Sequence, residues 1–327
     1  MKFFSTVIEQ LDRALDELGS SSAIGSRIAL ILVDNAVELL IHQSCEHYAK
    51  HGTQEGALSP HVRREATGTN LDAKFALLRR VGDLTESQAR FVAICHSYRN
   101  ELYHVGVRHD DILRHLAKEY LQLACDFLPR MGPRSIGWGP KLELGSRVLR
   151  YVGEDYRLTS IFHNRAPIAA ALLARLPELP VAFPTQLKAN LLERIETIAK
   201  HFDLISRGLD GQADPADTLR ELQFTFDHNQ MLSKKKGDVV WIPWSHPGLR
   251  EHRKRLEATW RQQFRRVPTV QWRNKANVIG KISDPLEATI QHRDLNAQMD
   301  YLDGAIKEAL YEFDGIVQSQ IDRIRGK

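Results

Sequence analysis

The sequence predicts an all-α protein, with an N-terminal helical bundle followed by a second, mostly helical and basic domain. Apolar residues recur at intervals of three and four through most of the 327 residues. A strand-like run occurs only at 238–244, where Pro243 restricts it to a sheet edge or an extended loop. A Pro- and Gly-rich stretch without helical periodicity separates the two parts. The predicted organisation is therefore a domain over 1–128, a linker over 129–140 and a domain over 141–327.

Composition indicates a soluble globular protein. Hydrophobic residues make up 43% of the chain and charged residues 26%. No apolar run approaches the roughly 18 residues of a membrane span, and acids at Glu9 and Asp12 interrupt any signal-peptide core. We therefore expect a cytoplasmic protein with no membrane partner. The three cysteines are widely spaced and are expected to be reduced core residues: Cys45, Cys95 and Cys125.

The N-terminal domain is predicted to contain five helices. Apolar spacing places the first at 3–18 and the second at about 24–50, each followed by a glycine suited to a helix end. Residues 53–70 are predicted to form a loop with one short turn at 61–65. The third helix spans 71–81. Thr85 and Gln88 have the spacing of a capping box, which starts the fourth helix, and the fifth begins at Asp110-Asp111 and ends at Pro129.

The second domain is predicted to be mostly helical. Short helical pieces at 143–151 and 161–176 precede clearer helices at 185–206, 214–229 and 247–265. A final helical stretch opens at Asp284-Pro285 and carries an apolar stripe from Leu295 to Ile316. The stripe favours packing within its own domain, and pairing with a second chain is the alternative.

One short stretch concentrates groups suited to phosphodiester chemistry. Arg99 keeps its proton and can hold a phosphate, whereas His104 titrates near neutrality and can move protons. In an ideal helix these two residues lie about 140° apart around the axis, so they converge only if the helix loosens at His104. The alternative is structural, since such residues near a helix end commonly cap carbonyls.

The second helix carries three polar residues on one face within an apolar context. Asp34, Glu38 and His42 are spaced at i, i+4 and i+8. They form either a solvated stripe or a polar lining beside an active site, and the sequence leaves both open.

Positive charge is concentrated in the second part of the chain. Residues 1–128 have a net charge of −3 and residues 129–327 a net charge of +7. The segment 232–281 alone holds 13 Lys/Arg against 3 Asp/Glu, with four of the five tryptophans. Cations interleaved with aromatics suit single-stranded nucleic acid, although the tryptophans could equally be core residues. The predicted nucleic-acid-binding residues are Lys234, Lys235, Lys236, Trp241, Trp244, Arg250, Arg253 and Arg255.

The stretch Arg99-Asn100-Glu101-Leu102-Tyr103-His104 resembles the Arg-polar-three residues-His signature of HEPN domains. The resemblance covers roughly residues 1–128, and the 34–38 run resembles a polar element of the same family. It implies a metal-independent endoribonuclease, of toxin or antiviral-defence type, whose site forms between two domains in a homodimer. On that basis His104 would be a general acid or base, Arg99 would clamp the phosphate and Asn100 would orient it. Further candidate site residues are Tyr103, Asp34 and Glu38.

Two other functions remain open from the sequence. The chain could be a non-catalytic nucleic-acid-binding or adaptor protein that uses its helical bundle to dimerise. Alternatively, the second domain could recognise a protein such as an antitoxin or a trigger through its tryptophans and arginines. No P-loop, GxGxxG, HExxH or GxSxG pattern occurs, so we expect no cofactor and no metal.

Overall fold

The structure is a computed structural model that describes residues 2–54, 56–104, 110–132, 144–153, 164–207, 214–236 and 259–325. Of residues 2, 103, 104, 110 and 231–236 it describes only the backbone. Within these ranges there are twelve helices and no sheet, which confirms the all-α prediction. The strand-like run at 238–244 and most of the predicted linker lie outside the described residues, so the predicted domain boundary stays a prediction.

The chain divides into two units. The first comprises 1–187 with 281–290, and the second comprises 188–280 with 291–327. We number the described helices in chain order. The first unit contains α1 (Lys2–Gly19), α2 (Ala23–His51), α3 (Pro60–Thr67), α4 (Leu71–Arg80), α5 (Glu86–His104), α6 (Asp110–Phe127), α7 (Ser146–Val152) and α8 (Arg165–Leu173).

Four further helices complete the described chain. Two of them belong wholly to the second unit, and the other two begin in the first unit and continue into the second. They are α9 (Phe183–Arg207), α10 (Pro215–Lys236), α11 (Thr269–Ile279) and α12 (Pro285–Ile324). None of the described helices is both long enough and apolar enough to cross a membrane.

Helix α2 is the central element of the first unit. Ser22 caps its start, since the Ser22 hydroxyl accepts a hydrogen bond from the Gly25 amide at 2.8 Å. The helix ends at Gly52, whose φ of 78° suits a residue without a side chain. Between these ends α2 packs against α1, α5 and α6. Its buried apolar residues include Ala29, Leu30, Val33, Ala36, Val37, Leu40 and Ile41.

The predicted loop at 53–70 contains a helix, α3, that is longer than the turn expected there. Ser59 caps it through a 3.4 Å hydrogen bond from the Val62 amide, and Pro60 occupies its first position, where a missing N–H costs nothing. The prediction was wrong because α3 buries only Ala66 among its eight residues, so the segment has almost no apolar periodicity.

Helices α7 and α8 pack on α1. The fully buried Asp12 of α1 accepts hydrogen bonds from Arg147 at 2.6 Å, from Tyr151 and from Arg175. Burial acts to raise the pKa of Asp12, but these hydrogen bonds outweigh it and hold the pKa below its usual value. One carboxylate thus links α1 to α7 and to Arg175, which follows the end of α8.

The second unit has its own apolar core. Trp272 of α11 is buried there, and the α12 stripe from Leu295 to Ile306 is buried, which confirms packing within its own unit for that part. Further along the stripe Ile316 is 51% exposed. Two buried polar side chains, those of Asn296 and Asp303, lie beside this core. Arg194 donates hydrogen bonds to them at 2.7 Å and 2.8 Å.

The predicted helix at 247–265 is wrong for its described part. Residues 259–265 are not helical. The Phe264 amide donates to the Gln223 side chain at 2.8 Å, and the Trp260 indole donates to Asp227 at 2.8 Å. These contacts with α10 replace the hydrogen bonds that a helix would make. Residues 247–258 lie outside the described residues.

Candidate active site

A buried carboxylate lies at the centre of the site. Asp34 of α2 is fully buried, and Tyr120 of α6 donates a 2.9 Å hydrogen bond to its Oδ1. Its Oδ2 is 3.0 Å from His96 Nδ1 and 3.7 Å from Arg99 Nε, both on α5. Burial raises the pKa of Asp34, against the opposing effects of His96, Tyr120 and Arg99. Asp34 therefore belongs to no solvated stripe.

Helix α5 presents a polar face to this carboxylate. Its predicted capping box is confirmed: the Thr85 amide donates to Gln88 Oε1 at 3.0 Å, and the Gln88 amide donates to Thr85 Oγ1 at 3.2 Å. Cys95 and Tyr98 are buried on the core side of the helix. His96 lies on another side, so the packing of α5 fixes its direction.

His96 lies between two carboxylates of α2. Its Nδ1 is 3.0 Å from Asp34 Oδ2 and 3.1 Å from Glu38 Oε1. Carboxylate oxygens only accept hydrogen bonds, so a proton on Nδ1 satisfies both contacts at once. Burial, and then the Asp34 charge, raises the pKa of Glu38, whereas His96, Arg99 and Lys74 act to lower it. The cluster thus places two acids around one imidazole edge.

The motif arginine belongs to the same cluster. Arg99 approaches Asp34 through Nε, and its Nη1 donates to Asn100 Oδ1 at 3.0 Å. Its side chain is 24% exposed, so part of the side chain faces solvent. The structure therefore brings together four of the predicted residues: Asp34, Glu38, Arg99 and Asn100.

The other two predicted catalytic residues are only partly described. Helix α5 is described as far as His104, and residues 105–109 lie outside the described residues, so the loosening of the helix that would let Arg99 and His104 converge stays a prediction. The side chains of Tyr103 and His104 lie outside what the structure describes, so their predicted roles stay predictions.

A cleft of about 660 Å³ adjoins the carboxylate cluster. Glu38 and His96 border it on the side of the cluster, and Lys74 of α4 supplies a cation. Two buried atoms in its lining, Gln10 Oε1 and His42 Nδ1, have no hydrogen-bond partner among the described residues. The remaining lining residues are Asn35, Leu39, Thr67, Gly68, Thr69 and Leu71.

The donor set could also hold a cation. Single ligand atoms of Asp34, Glu38 and His96 all lie within 4.8 Å of one another, and the described residues contain no other such group. The site already has a nearby guanidinium, since Arg99 Nε is 3.7 Å from Asp34 Oδ2. That charge partly offsets the two carboxylates and opposes a second cation.

The predicted nucleic-acid-binding residues cannot be placed as a group. Trp241, Trp244, Arg250, Arg253 and Arg255 lie outside the described residues. Lys234, Lys235 and Lys236 are the last described residues of α10, and only their backbone is described.

Two tryptophans of the same basic segment are described, and neither is a free stacking surface. Trp272 is a core residue, 2% exposed. Trp260 donates to Asp227 and lies edge-on to Phe224, with ring centroids 5.3 Å apart. The core alternative therefore applies to Trp272, whereas Trp260 is half-buried.

Sequence reasoning did not assign a role to His96 or Tyr120. His96 carried a weak signal, because it precedes Arg99 by three residues and shares its side of the helix. Tyr120 carried none, since its position fits the apolar stripe of α6. Only the packing of α6 against α2 brings its hydroxyl to Asp34.

Comparison of the chain with protein-family models, with curated proteins and with solved structures finds no match. The resemblance to HEPN domains thus rests on the motif and its helical setting.

Proposed function

We propose that the protein is a metal-independent endoribonuclease that cleaves RNA at a site shared by two copies of its HEPN-like domain. The observation that carries this proposal is the anchoring of Arg99: the motif arginine lies beside the buried Asp34, on the α5 face that also carries His96. Arginine held by a buried carboxylate is oriented for phosphate before substrate arrives.

The chemistry needs groups that the motif supplies. Cleavage by the RNA's own 2′-hydroxyl requires a base for that proton, an acid for the leaving 5′-oxygen and positive charge near the phosphorane. Arg99 supplies the charge, and His104 supplies a proton-transfer group. Because one chain provides a single motif histidine, a second copy completes the pair. This activity would suit a toxin or an antiviral effector. An antitoxin would restrain it, and a trigger protein would release it.

The test is cleavage of single-stranded RNA by purified wild type, Arg99→Ala and His104→Ala. We expect both substitutions to reduce the rate by about 10²–10⁴-fold, the usual contribution of one acid, base or charge-stabilising group. Circular dichroism should show unchanged helicity for both variants. Chelation with EDTA should leave wild-type cleavage intact, and a 2′-deoxy residue at the scissile position should block it.

Two outcomes would contradict the proposal. One is cleavage that survives both substitutions, and the other is cleavage that stops when chelator is added. Binding of RNA with steep salt dependence but without cleaved product would instead indicate a nucleic-acid-binding or adaptor protein.

A further inference from the structure

We propose that His96 is a second proton-transfer residue of the same chain, acting as general base on an RNA nucleotide bound in the cleft. This role rests on the ribonuclease activity proposed above. It adds to Arg99 and His104 a catalytic group that lies outside the six-residue motif and whose geometry is set by α2.

The carboxylates fix the tautomer of His96. Asp34 and Glu38 both face Nδ1, at 3.0 and 3.1 Å, and in their ionised forms both can only accept. The neutral ring therefore carries its proton on Nδ1, and Nε2 keeps a lone pair. When Nε2 takes a proton, the two carboxylates stabilise the imidazolium that forms. This is the arrangement by which a buried acid orients a histidine base.

Nε2 is available to a ligand. His96 is 25% exposed and borders the cleft, and no described group makes a hydrogen bond to Nε2. A volume of about 660 Å³ is in the range of small-ligand sites and is ample for one nucleotide. Lys74 lies in the same lining and suits a phosphate, while Gln10 and His42 add polar side chains to the lining.

The charged and titratable groups around His96 come from four helices. They are Asp34, Glu38 and His42 of α2, Lys74 of α4, Arg99 of α5 and Tyr120 of α6.

The proposed cleavage step conserves protons. His96 Nε2 takes the proton of the 2′-hydroxyl as its oxygen bonds to phosphorus. The bond from phosphorus to the 5′-oxygen breaks, and that oxygen takes a proton from an acid, the role left to the two His104 side chains that the paired copies bring to one site. The products are a 2′,3′-cyclic phosphate and a 5′-hydroxyl. Exchange with water then returns both groups to their starting states.

His96→Asn is the decisive variant. The asparagine amide places an N–H close to the position of Nδ1, so it keeps the contact with the two carboxylates but has no counterpart of Nε2. We expect unchanged folding and unchanged affinity for a 2′-O-methyl oligonucleotide. The kcat for RNA cleavage should fall by about 10²–10⁴-fold, and the acidic limb of the wild-type pH profile should disappear. The matched control is His61→Asn, at an exposed histidine of α3, with wild-type activity.

A measurement on the wild type avoids any variant that fails to fold. Nitrogen-15 NMR of the histidines should show His96 with its proton on Nδ1 and a lone pair on Nε2, and the Nε2 resonance should shift on addition of the 2′-O-methyl oligonucleotide. The opposite tautomer, or an unmoved resonance, overturns the role.

The remaining outcomes separate this role from the proposed function. Activity lost in Arg99→Ala but kept in His96→Asn overturns the role of His96 alone. Wild type that cleaves no RNA removes both. Stoichiometric binding of Zn²⁺ or Mn²⁺ that Asp34→Asn abolishes also overturns it, because the metal would occupy Nδ1.

Discussion

At the scale of one residue, the burial of Asp34 lowers the stability of its ionised form, which the proposed chemistry needs. The carboxylate is fully buried, and burial raises its pKa, so the fold favours its protonated form relative to water. Yet the ionised form orients both His96 and Arg99. A charge kept at a cost to stability is common where pre-organised electrostatics serve chemistry.

Asp34→Asn is expected to separate stability from activity. A raised folded-state pKa contributes stability that is fully present below the unfolded pKa of about 3.9 and is lost as pH rises through the folded-state pKa. Wild type should therefore lose stability relative to Asp34→Asn as pH rises from about 4 through the folded-state pKa. Urea unfolding between pH 3.5 and 7 measures this difference, within the range where both proteins stay folded.

The same variant should be inactive. An amide in place of the carboxylate can donate to His96 Nδ1, which moves the ring proton to Nε2 and removes the base, as in the asparagine variant of a serine-protease triad. Activity close to wild type in Asp34→Asn would show that the carboxylate does not set the tautomer.

At the scale of helices, Asp12 resembles Asp34, because it is a buried carboxylate that binds side chains from distant parts of the chain. It joins α1 to Arg147 and Tyr151 of α7 and to Arg175, which follows α8, and all three lie at least 135 residues from Asp12 in sequence. No spacing rule predicts such a contact, because it depends on how the chain returns to α1 after residue 143. By contrast, the C-terminal ends of α1 and α2 and the start of α5 followed from local signals, namely glycines and a capping box.

Asp12→Asn is expected to destabilise the first unit by about 1.5–3 kcal/mol, the usual loss for hydrogen bonds to a charged group. The folded-state pKa of Asp12 is lowered, so its contribution is present above the unfolded pKa and is lost as pH falls through the folded-state pKa. The difference between wild type and variant should thus shrink below about pH 4.

The matched control is Asp16→Asn, which removes a carboxylate bound to Arg147 and Arg175 but 43% exposed. An exposed pair contributes about 0–1 kcal/mol, so the control should be nearly neutral. Urea unfolding of both variants decides the matter. Equal losses for the two would show that burial of Asp12 adds nothing.

For the molecule as a whole, the sequence predicted the all-α class and most helix positions, because these follow from periodicity and local spacing. It did not predict the partners that Asp34 gains from α5 and α6, since 62 residues separate it from His96 and 86 from Tyr120. Long-range pairing is set by packing, which one sequence does not encode as a visible pattern. The positions of the clefts could not be predicted from the sequence for the same reason. One cleft in the second unit is lined by the acids Asp217, Glu221, Glu308 and Glu312, which disfavour a phosphate.

The whole-molecule property that the proposed function requires is a second copy of the chain, and mixing wild type with His104→Ala tests it. If one site needs the motif histidine of both copies, only wild-type pairs are active. At equal amounts and random pairing, about a quarter of the pairs are wild type, so activity per wild-type chain should fall to about half. If each chain carried a complete site, activity per wild-type chain would stay constant. The mixture must first exchange subunits, which fluorescence energy transfer between labelled chains can follow. The paired control is a mixture with His61→Asn, in which activity should stay at the wild-type level.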